Sequence, residues 1–298
     1  VFSSEYTHAH PDEYTIACSA KINWFLNVAT RRPDGYHELQ TVMQRINLYD
    51  RLSLHIQANG TIECIDESRA CGCDPDDNIL YRAAVLLKER YAVSPGVSIT
   101  IEKNIPVGAG LGGGSSDAAG VLIALSSLWN ISARQEELSS LAAELGADVP
   151  FFLGPRAAFC TGIGETISPI ASREFDLVLW KPAASLSTRQ VYQQFDHRQR
   201  PEISPGSFLD AYTGGDPAIT GRHTWNNLAL AACECMPELN DMMDHCHKAG
   251  AISAWVTGSG PTVVSLCADL AAARQVCSEI RMVAAPEDFI YCAKTLTD

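Results

Sequence analysis

The sequence predicts an α+β protein of two domains, residues 1–172 and 173–298. Strand-like and helix-like segments are mixed, and they fall into two blocks joined near Ile170–Glu174. The apolar pattern restarts at Phe175, as a second domain requires. The length of 298 residues and a hydrophobic fraction of 46% supply enough core for one large domain or two of ordinary size.

Composition narrows the partners. A net charge of −13 argues against a general nucleic-acid surface or an anionic-membrane surface. No apolar run reaches the ~18 residues that span a bilayer. Val1 to Glu13 is polar, rich in Ser and His, and lacks the basic-then-apolar order of a signal peptide. It is expected to be a loose tail, with the numbering starting inside a longer chain and the protein cytoplasmic. A monomer and a homodimer both stay open. The eleven cysteines are scattered, so reduced and mostly buried thiols are expected. Cys233, Cys235, His245, Cys246 and His247 have zinc-ligand chemistry, but the spacing is not that of a finger and the segment reads as helical. Cys71-Gly72-Cys73 sits in an acidic loop and is expected to be ordinary.

Tyr14–Val28 is strand-like and contains Ala20-Lys21-Ile22-Asn23-Trp24. A lysine in an apolar strand is costly to bury without a partner, so Lys21 either has one or reaches water from a sheet edge. Pro33-Asp34-Gly35 is a turn, which leaves Tyr36 and His37 as an exposed stacking pair or a loop anchor. Residues 41–54 read as a strand, with Leu52, Leu54 and Ile56 alternating with polar neighbours. Asn59-Gly60 predicts a hairpin into a strand over 61–65. Asn78 caps a helix over 79–91, and a strand over 97–102 delivers Lys103. A helix over 116–129 is apolar nearly all round, so it is central and buried. Ser132 and Gln135 form a capping-box pattern for the next helix, which Gly146 ends. Asp148 follows, where a lone aspartate is ordinarily a cap or turn residue.

A strand over 159–166 comes next, then a strand over 177–180 and a helix that Thr188 caps. Residues 196–223 are rich in Pro, Gly and Asp and read as a surface excursion. Helices over 225–235 and 238–249 are followed by two strands, 253–257 and 262–266, around Gly258-Ser259-Gly260-Pro261. A helix over 270–280 and a strand over 289–294 close the chain.

The chemistry concentrates between Asn104 and Ala119. Five glycines, Gly108, Gly110, Gly112, Gly113 and Gly114, fall within seven residues, and Ser115 and Ser116 follow. Glycines let backbone N–H groups crowd into one concavity, and serines cap the helix beyond, which suits a polyphosphate. A P-loop would need Lys after the last glycine, and Ser115 stands there. The pattern G-x-G-x-x-G is present at Gly108, Gly110 and Gly113, but a dinucleotide fold needs a second strand with an acidic residue some 20 positions on. At that distance Ser132 opens a helix instead.

Pro106-x-x-x-Gly110-Leu111-Gly112-x-x-Ser115-Ser116 resembles the glycine loop of the GHMP kinases, a family of small-molecule ATP-dependent kinases. The likeness runs from about Ser19 to Lys294 through separated motifs in order: Ala20-Lys21-Ile22-Asn23, Pro33-Asp34-Gly35-Tyr36-His37, Asp77-Asn78, the glycine loop, Gly146-Ala147-Asp148-Val149-Pro150 and Gly258-Ser259-Gly260-Pro261. The extra glycines look like a subgroup whose acceptor is a cytidine diphosphate derivative. The alternative is another kinase or decarboxylase of the family, of the homoserine, mevalonate or phosphomevalonate class.

The resemblance implies a ribosomal-S5-like N-terminal domain, a ferredoxin-like C-terminal domain, ATP and Mg2+. It places Lys21 and Asp148 at the acceptor hydroxyl. Asn78 and Lys103 go near the adenine; Pro106, Gly108, Gly110, Leu111, Gly112, Gly113, Gly114, Ser115 and Ser116 go to the phosphates. Asn23, Tyr36, His37, Thr188, Tyr192, Gly258 and Ser259 line the acceptor side. Ser116, or its neighbour Ser115, is the candidate Mg2+ ligand. Three positions depart from the family pattern: Ser19 stands where Pro is frequent, Tyr192 where Phe is frequent, and Asn227 where Asp is common.

Overall fold

The computed structural model describes residues 6–66, 77–196 and 203–298. The chain forms two compact units, neither continuous in sequence. Unit 1 is the chain up to Ala20 with Leu48–Val107 and Gly112–Pro155; unit 2 is Lys21–Asn47, Gly108–Leu111 and Arg156–Asp298. The sequence pointed instead to one cut at 172/173. Two strands of unusual length, of 19 and 21 residues, run on from one unit into the other and make the division discontinuous.

In unit 1, β1 (Tyr6–His10) pairs antiparallel with the start of β2 (Glu13–Arg31), so part of the expected loose tail is a strand. After β3 (His37–Gln57), the turn at Gly60 forms, with Gly60 N–H donating to the Gln57 carbonyl at 3.3 Å. The predicted hairpin does not. β4 (Ile62–Asp66) pairs in parallel with β5 (Gly96–Glu102), and β5 takes the place beside Arg51–Gln57 of β3. A turn sequence fixes a reversal of direction but not which strand fills the neighbouring slot. Residues 67–76, with Cys71 and Cys73, lie outside the described residues.

Helix α1 (Ile79–Arg90) is capped as expected: Asn78 Oδ1 accepts the Leu80 N–H at 2.9 Å. Helix α2 (Gly113–Leu128) is buried without a break from Ser116 to Leu125. A Cβ at Gly120 would stand 2.4 Å from Cys18 Sγ, so glycine permits this close seat. The helix starts earlier than 116, after Gly112 in the left-handed conformation, and neither serine caps it. Helix α3 (Gln135–Leu145) starts later than its predicted box. Glu137 Oε2 accepts the Arg134 N–H at 2.9 Å, while Gln135 turns to the Leu153 carbonyl. Gly146 ends this helix, and α4 (Val149–Phe152) is a single buried turn.

In unit 2, the strand expected over 159–166 is a hairpin of β6 (Ala157–Thr161) and β7 (Thr166–Pro169). Next come β8 (Asp176–Lys181) and α5 (Thr188–Asp196). The presumed surface excursion holds α6 (Gly206–Gly214) and α7 (Pro217–Arg222), with Phe208 and Tyr212 fully buried. Its Gly, Pro and Asp residues mark turns, but they say nothing about whether the aromatics between them are covered. Trp225 and Asn226 begin no helix; as β9 (Trp225–Asn226) they pair in parallel with Phe25 and Leu26.

The remaining elements are α8 (Ala229–Cys235), α9 (Glu238–Lys248), β10 (Ser253–Val256), β11 (Val263–Cys267), α10 (Leu270–Arg281) and β12 (Phe289–Lys294). The antiparallel order β10-β11-β8-β12, with helices between β8 and β10 and between β11 and β12, is the expected ferredoxin-like arrangement.

A polar hub sits in this core. Gln44 accepts from Trp24 Nε1 (3.0 Å) and Tyr212 Oη (2.9 Å), and donates to the Arg173 and Leu296 carbonyls. The nine cysteines among the described residues are free thiols. Cys233, Cys246 and Cys267 belong to the apolar core, where burial pushes their thiols up, as suits unreactive packing residues. His245 Nδ1 is bonded to the Asp241 carbonyl at 2.8 Å. Among the described residues, no helix is long and apolar enough to cross a membrane, and no group of three or more His, Cys, Asp or Glu is placed to hold a metal.

Candidate active site

The sequence-predicted residues fall into one set in each unit. In unit 2, Lys21 is only 4% exposed, which removes the water-reaching alternative. Its ammonium donates to Asn23 Oδ1 at 2.7 Å. Asn23 Nδ2 donates to Thr41 Oγ1 at 2.8 Å, and that hydroxyl donates to the Phe25 carbonyl. The Asn23 backbone is fixed as well, its N–H on Thr257 Oγ1 and its carbonyl accepting from Trp255 Nε1. A buried ammonium needs such acceptors, and a strand supplies one at i+2 because alternate side chains share a face.

The first half of the glycine stretch lies along this strand. Lys21 N–H donates to the Leu111 carbonyl at 2.9 Å, and Thr262 Oγ1 donates to the Ala109 carbonyl at 2.7 Å. At Gly110, φ is +75°, and a Cβ would stand 2.7 Å from the Thr257 carbonyl oxygen. Only glycine fits there. Asn226 Nδ2 holds the Val256 and Gly258 carbonyls, which sets the turn carrying Gly258 and Ser259. Ser259 Oγ and Thr188 Oγ1 share a hydrogen bond of 2.8 Å.

Tyr36 and His37 do not stack as an exposed pair. Tyr36 is 60% exposed and His37 is buried. His37 Nε2 donates to Asp196 Oδ1 at 2.6 Å, which fixes the ring and leaves Nδ1 as its second polar atom. The Tyr192 ring lies 5.1 Å from the His37 ring, tilted by 40°. Sequence reasoning missed Asp196, Thr41, Thr257 and Asn226, because partners distant in the chain leave no local pattern. Asn227, one of the departures, has a structural use: Oδ1 accepts the Val28 N–H and Nδ2 donates to the Val28 carbonyl, both at 2.9 Å.

In unit 1, Gly112 precedes α2 at φ +71°, and Gly113, Gly114 and Ser115 carry the first-turn N–H groups. Ser115 is half-buried, whereas Ser116 is 3% exposed. Asp148 is half-buried ahead of α4, and its side chain does not cap that helix. Lys103 sits between two acids that the sequence did not single out. Its Nζ donates to Asp117 Oδ2 at 2.9 Å and to Asp50 Oδ2. Asp50 Oδ1 accepts the N–H groups of Asn104 and Ile105 at 2.6 and 2.8 Å. Burial pushes the Asp117 carboxyl up to about 8 against the pull of Lys103. Burial alone would lower the Lys103 ammonium, but Asp117 and Asp50 outweigh it and hold it above the ordinary lysine value.

A glycine stretch that runs into a buried helix, and a buried lysine whose N–H bonds the Leu111 carbonyl, are features of the small-molecule kinases of the GHMP type. Residues 78–154 match the GHMP kinases N terminal domain and residues 220–283 the GHMP kinases C terminal domain. A protein of Symbiobacterium thermophilum named 4-diphosphocytidyl-2-C-methyl-D-erythritol kinase is 40% identical over 89% of this chain and 95% of its own. One of the same name from Nocardia farcinica is 38% identical over 91% of this chain and 90% of its own. A crystal structure of 4-(cytidine 5'-diphospho)-2C-methyl-D-erythritol kinase superposes with a TM-score of 0.79 at 33% identity, covering 95% of this chain and all of that one. Homoserine kinase from Cytophaga hutchinsonii shares the fold, with a TM-score of 0.73 at 16% identity over 98% and 97% of the two chains. The chain belongs to the GHMP kinases, in the family of the 4-diphosphocytidyl-2-C-methyl-D-erythritol kinases.

Proposed function

We propose that the protein transfers the terminal phosphoryl group of ATP to the 2-hydroxyl of 4-diphosphocytidyl-2-C-methyl-D-erythritol, a step of the non-mevalonate route to isoprenoid precursors. The observation that carries this reading is the 40% identity over nearly the whole chain to a relative of that name. The glycine stretch supports the nucleotide side: its positive-φ glycines at 108, 110 and 112 lead into the free N–H groups of α2's first turn. The buried Lys21–Asn23–Thr41 network and the His37–Tyr192 and Thr188–Ser259 pairs support the acceptor side.

Phosphoryl transfer asks the protein mainly for positioning and charge neutralisation. In this reading the acceptor oxygen forms a bond to the γ-phosphorus while the bond to the β–γ bridging oxygen breaks and ADP leaves. Asp148 takes the hydroxyl proton, and Lys21 offsets the negative charge on the acceptor oxygen. The loop N–H groups from Gly108 to Ser115 hold the phosphates, and Pro106, Leu111 and Ser116 shape the cradle. Asn78 stands on the adenine side. A cytosine ring is met by the aromatic faces of Tyr36 and Tyr192 and by a hydrogen bond to His37. A bound Mg2+ would supply neutralisation of the phosphate charge. Ser115, half-buried on the first turn, fits as an oxygen ligand better than the enclosed Ser116.

The test is a substrate panel read by ADP release. Release depends on 4-diphosphocytidyl-2-C-methyl-D-erythritol and is absent with homoserine, mevalonate, phosphomevalonate or galactose. Comparable turnover of any of those four overturns the reading.

A further inference from the structure

The Lys103 cluster is a buried ionic group within unit 1 that the assigned roles leave unused. The side chains of Lys103, Asp50 and Asp117 are 5%, 0% and 3% exposed. A buried ion pair adds little net stability over well-packed apolar residues, so its effect lies in the geometry it imposes. Here the geometry is specific. Asp50 holds the chain just after β5 through the Asn104 and Ile105 N–H groups, and holds Lys103 with its other oxygen. Lys103 reaches on to Asp117, the fifth residue of α2. A Cβ on Gly113 would stand 3.3 Å from Lys103 Nζ and 2.9 Å from Ile105 Cγ2, so the helix start lies directly on this cluster. Asp117 Oδ1 is buried with no hydrogen-bond partner among the described residues, so the bond from Lys103 to Oδ2 is the contact that ties this carboxyl group to the strand end.

We propose that Lys103, Asp50 and Asp117 form a positioning cluster that sets the first turn of α2, and so the N–H groups of Gly113, Gly114 and Ser115, for the phosphates of ATP. This rests on the reading of the glycine loop as the ATP site. It replaces the adenine contact that the family resemblance implies for Lys103, since that ammonium already donates to two carboxylates.

The test measures KM for ATP, KM for the acceptor, kcat and melting temperature in four variants and one double variant. Asp117→Ala removes the tie but keeps the helix, alanine being the best helix former. Its KM for ATP rises tenfold or more, about 1.4 kcal/mol, while kcat and the acceptor KM stay within about threefold. Asp117→Asn keeps an acceptor for Lys103 and restores KM for ATP to within about threefold of wild type. Lys103→Met matches Asp117→Ala, and the double variant Lys103→Met/Asp117→Ala is no worse than the worse single, because the groups act as one unit. Gly114→Val reports on the loop itself. Gly114 is exposed and its added Cβ would meet only Ile79 Cγ2 at 3.8 Å, whereas Gly112 at φ +71° would confound obstruction with strain. Gly114→Val raises KM for ATP. If it does not, the ATP reading of the loop fails and the cluster's role falls with it. If it does, and Asp117→Ala keeps a wild-type KM for ATP while Lys103→Met loses it, Lys103 touches the nucleotide directly and the positioning role is refuted. A joint loss of both KM values, kcat and melting temperature in Asp117→Ala also refutes it, since the cluster is then only part of the fold.

Discussion

Asn23→Leu tests whether Lys21 must be held to act. The Asn23 amide is an acceptor of the buried ammonium, at 2.7 Å. A hydrogen bond to a charged group is worth about 1.5–3 kcal/mol. Leucine has the same branching at Cγ, is somewhat larger, and has no acceptor. Thr41 loses a donor but keeps its own bond to the Phe25 carbonyl. The backbone bonds of residue 23 to Thr257 and Trp255 do not involve the side chain, so the strand stays in place. The loss therefore falls on the position of Lys21. If all of it is felt in the transition state, kcat falls about 10- to 100-fold, at about 1.4 kcal/mol per tenfold. Steady-state ADP release gives kcat, and calorimetry shows that the variant is folded at the assay temperature. Asn23→Asp retains the acceptor and stays within about fivefold of wild type. An Asn23→Leu enzyme within twofold of wild type, beside an inactive Lys21→Met, refutes the reasoning.

Two further outcomes are expected. Asp148→Asn keeps size but removes the proton acceptor, so kcat falls on the order of 100-fold with little change in acceptor KM and an unchanged melting temperature; near-wild-type turnover removes Asp148 as the base. Gln44→Leu leaves Trp24 Nε1, Tyr212 Oη and the Leu296 carbonyl without their Gln44 bonds, while the Arg173 carbonyl keeps Thr295 Oγ1. At about 1–3 kcal/mol for each of these three buried groups, urea unfolding shows a loss of about 3 kcal/mol or more; a loss under 1 kcal/mol means that the hub does not carry unit 2.

The local pattern of the chain determined much of this protein. Asn78 could be read as a cap and the largely apolar segment 116–129 as a buried helix, because each depends on neighbours a few residues away. The candidate chemical residues were legible for the same reason: a lysine in an apolar strand and glycines before a helix are locally costly, so they stand out. Tertiary structure decided the rest. Asn59-Gly60 promised a hairpin, yet β5 enters beside β3 and β4 pairs with it in parallel, because pairing is settled by which apolar faces meet. Residues 206–222 were polar enough to read as surface, but Phe208 and Tyr212 turn inward against Phe25 and Trp24. Asp50 and Asp117 looked like any acids within a strand and a helix. Their distinction is the one ammonium they share, contributed by Lys103, 53 positions from Asp50 and 14 from Asp117. A sequence displays the cost of burying a charge, but its partner is chosen only when the chain folds.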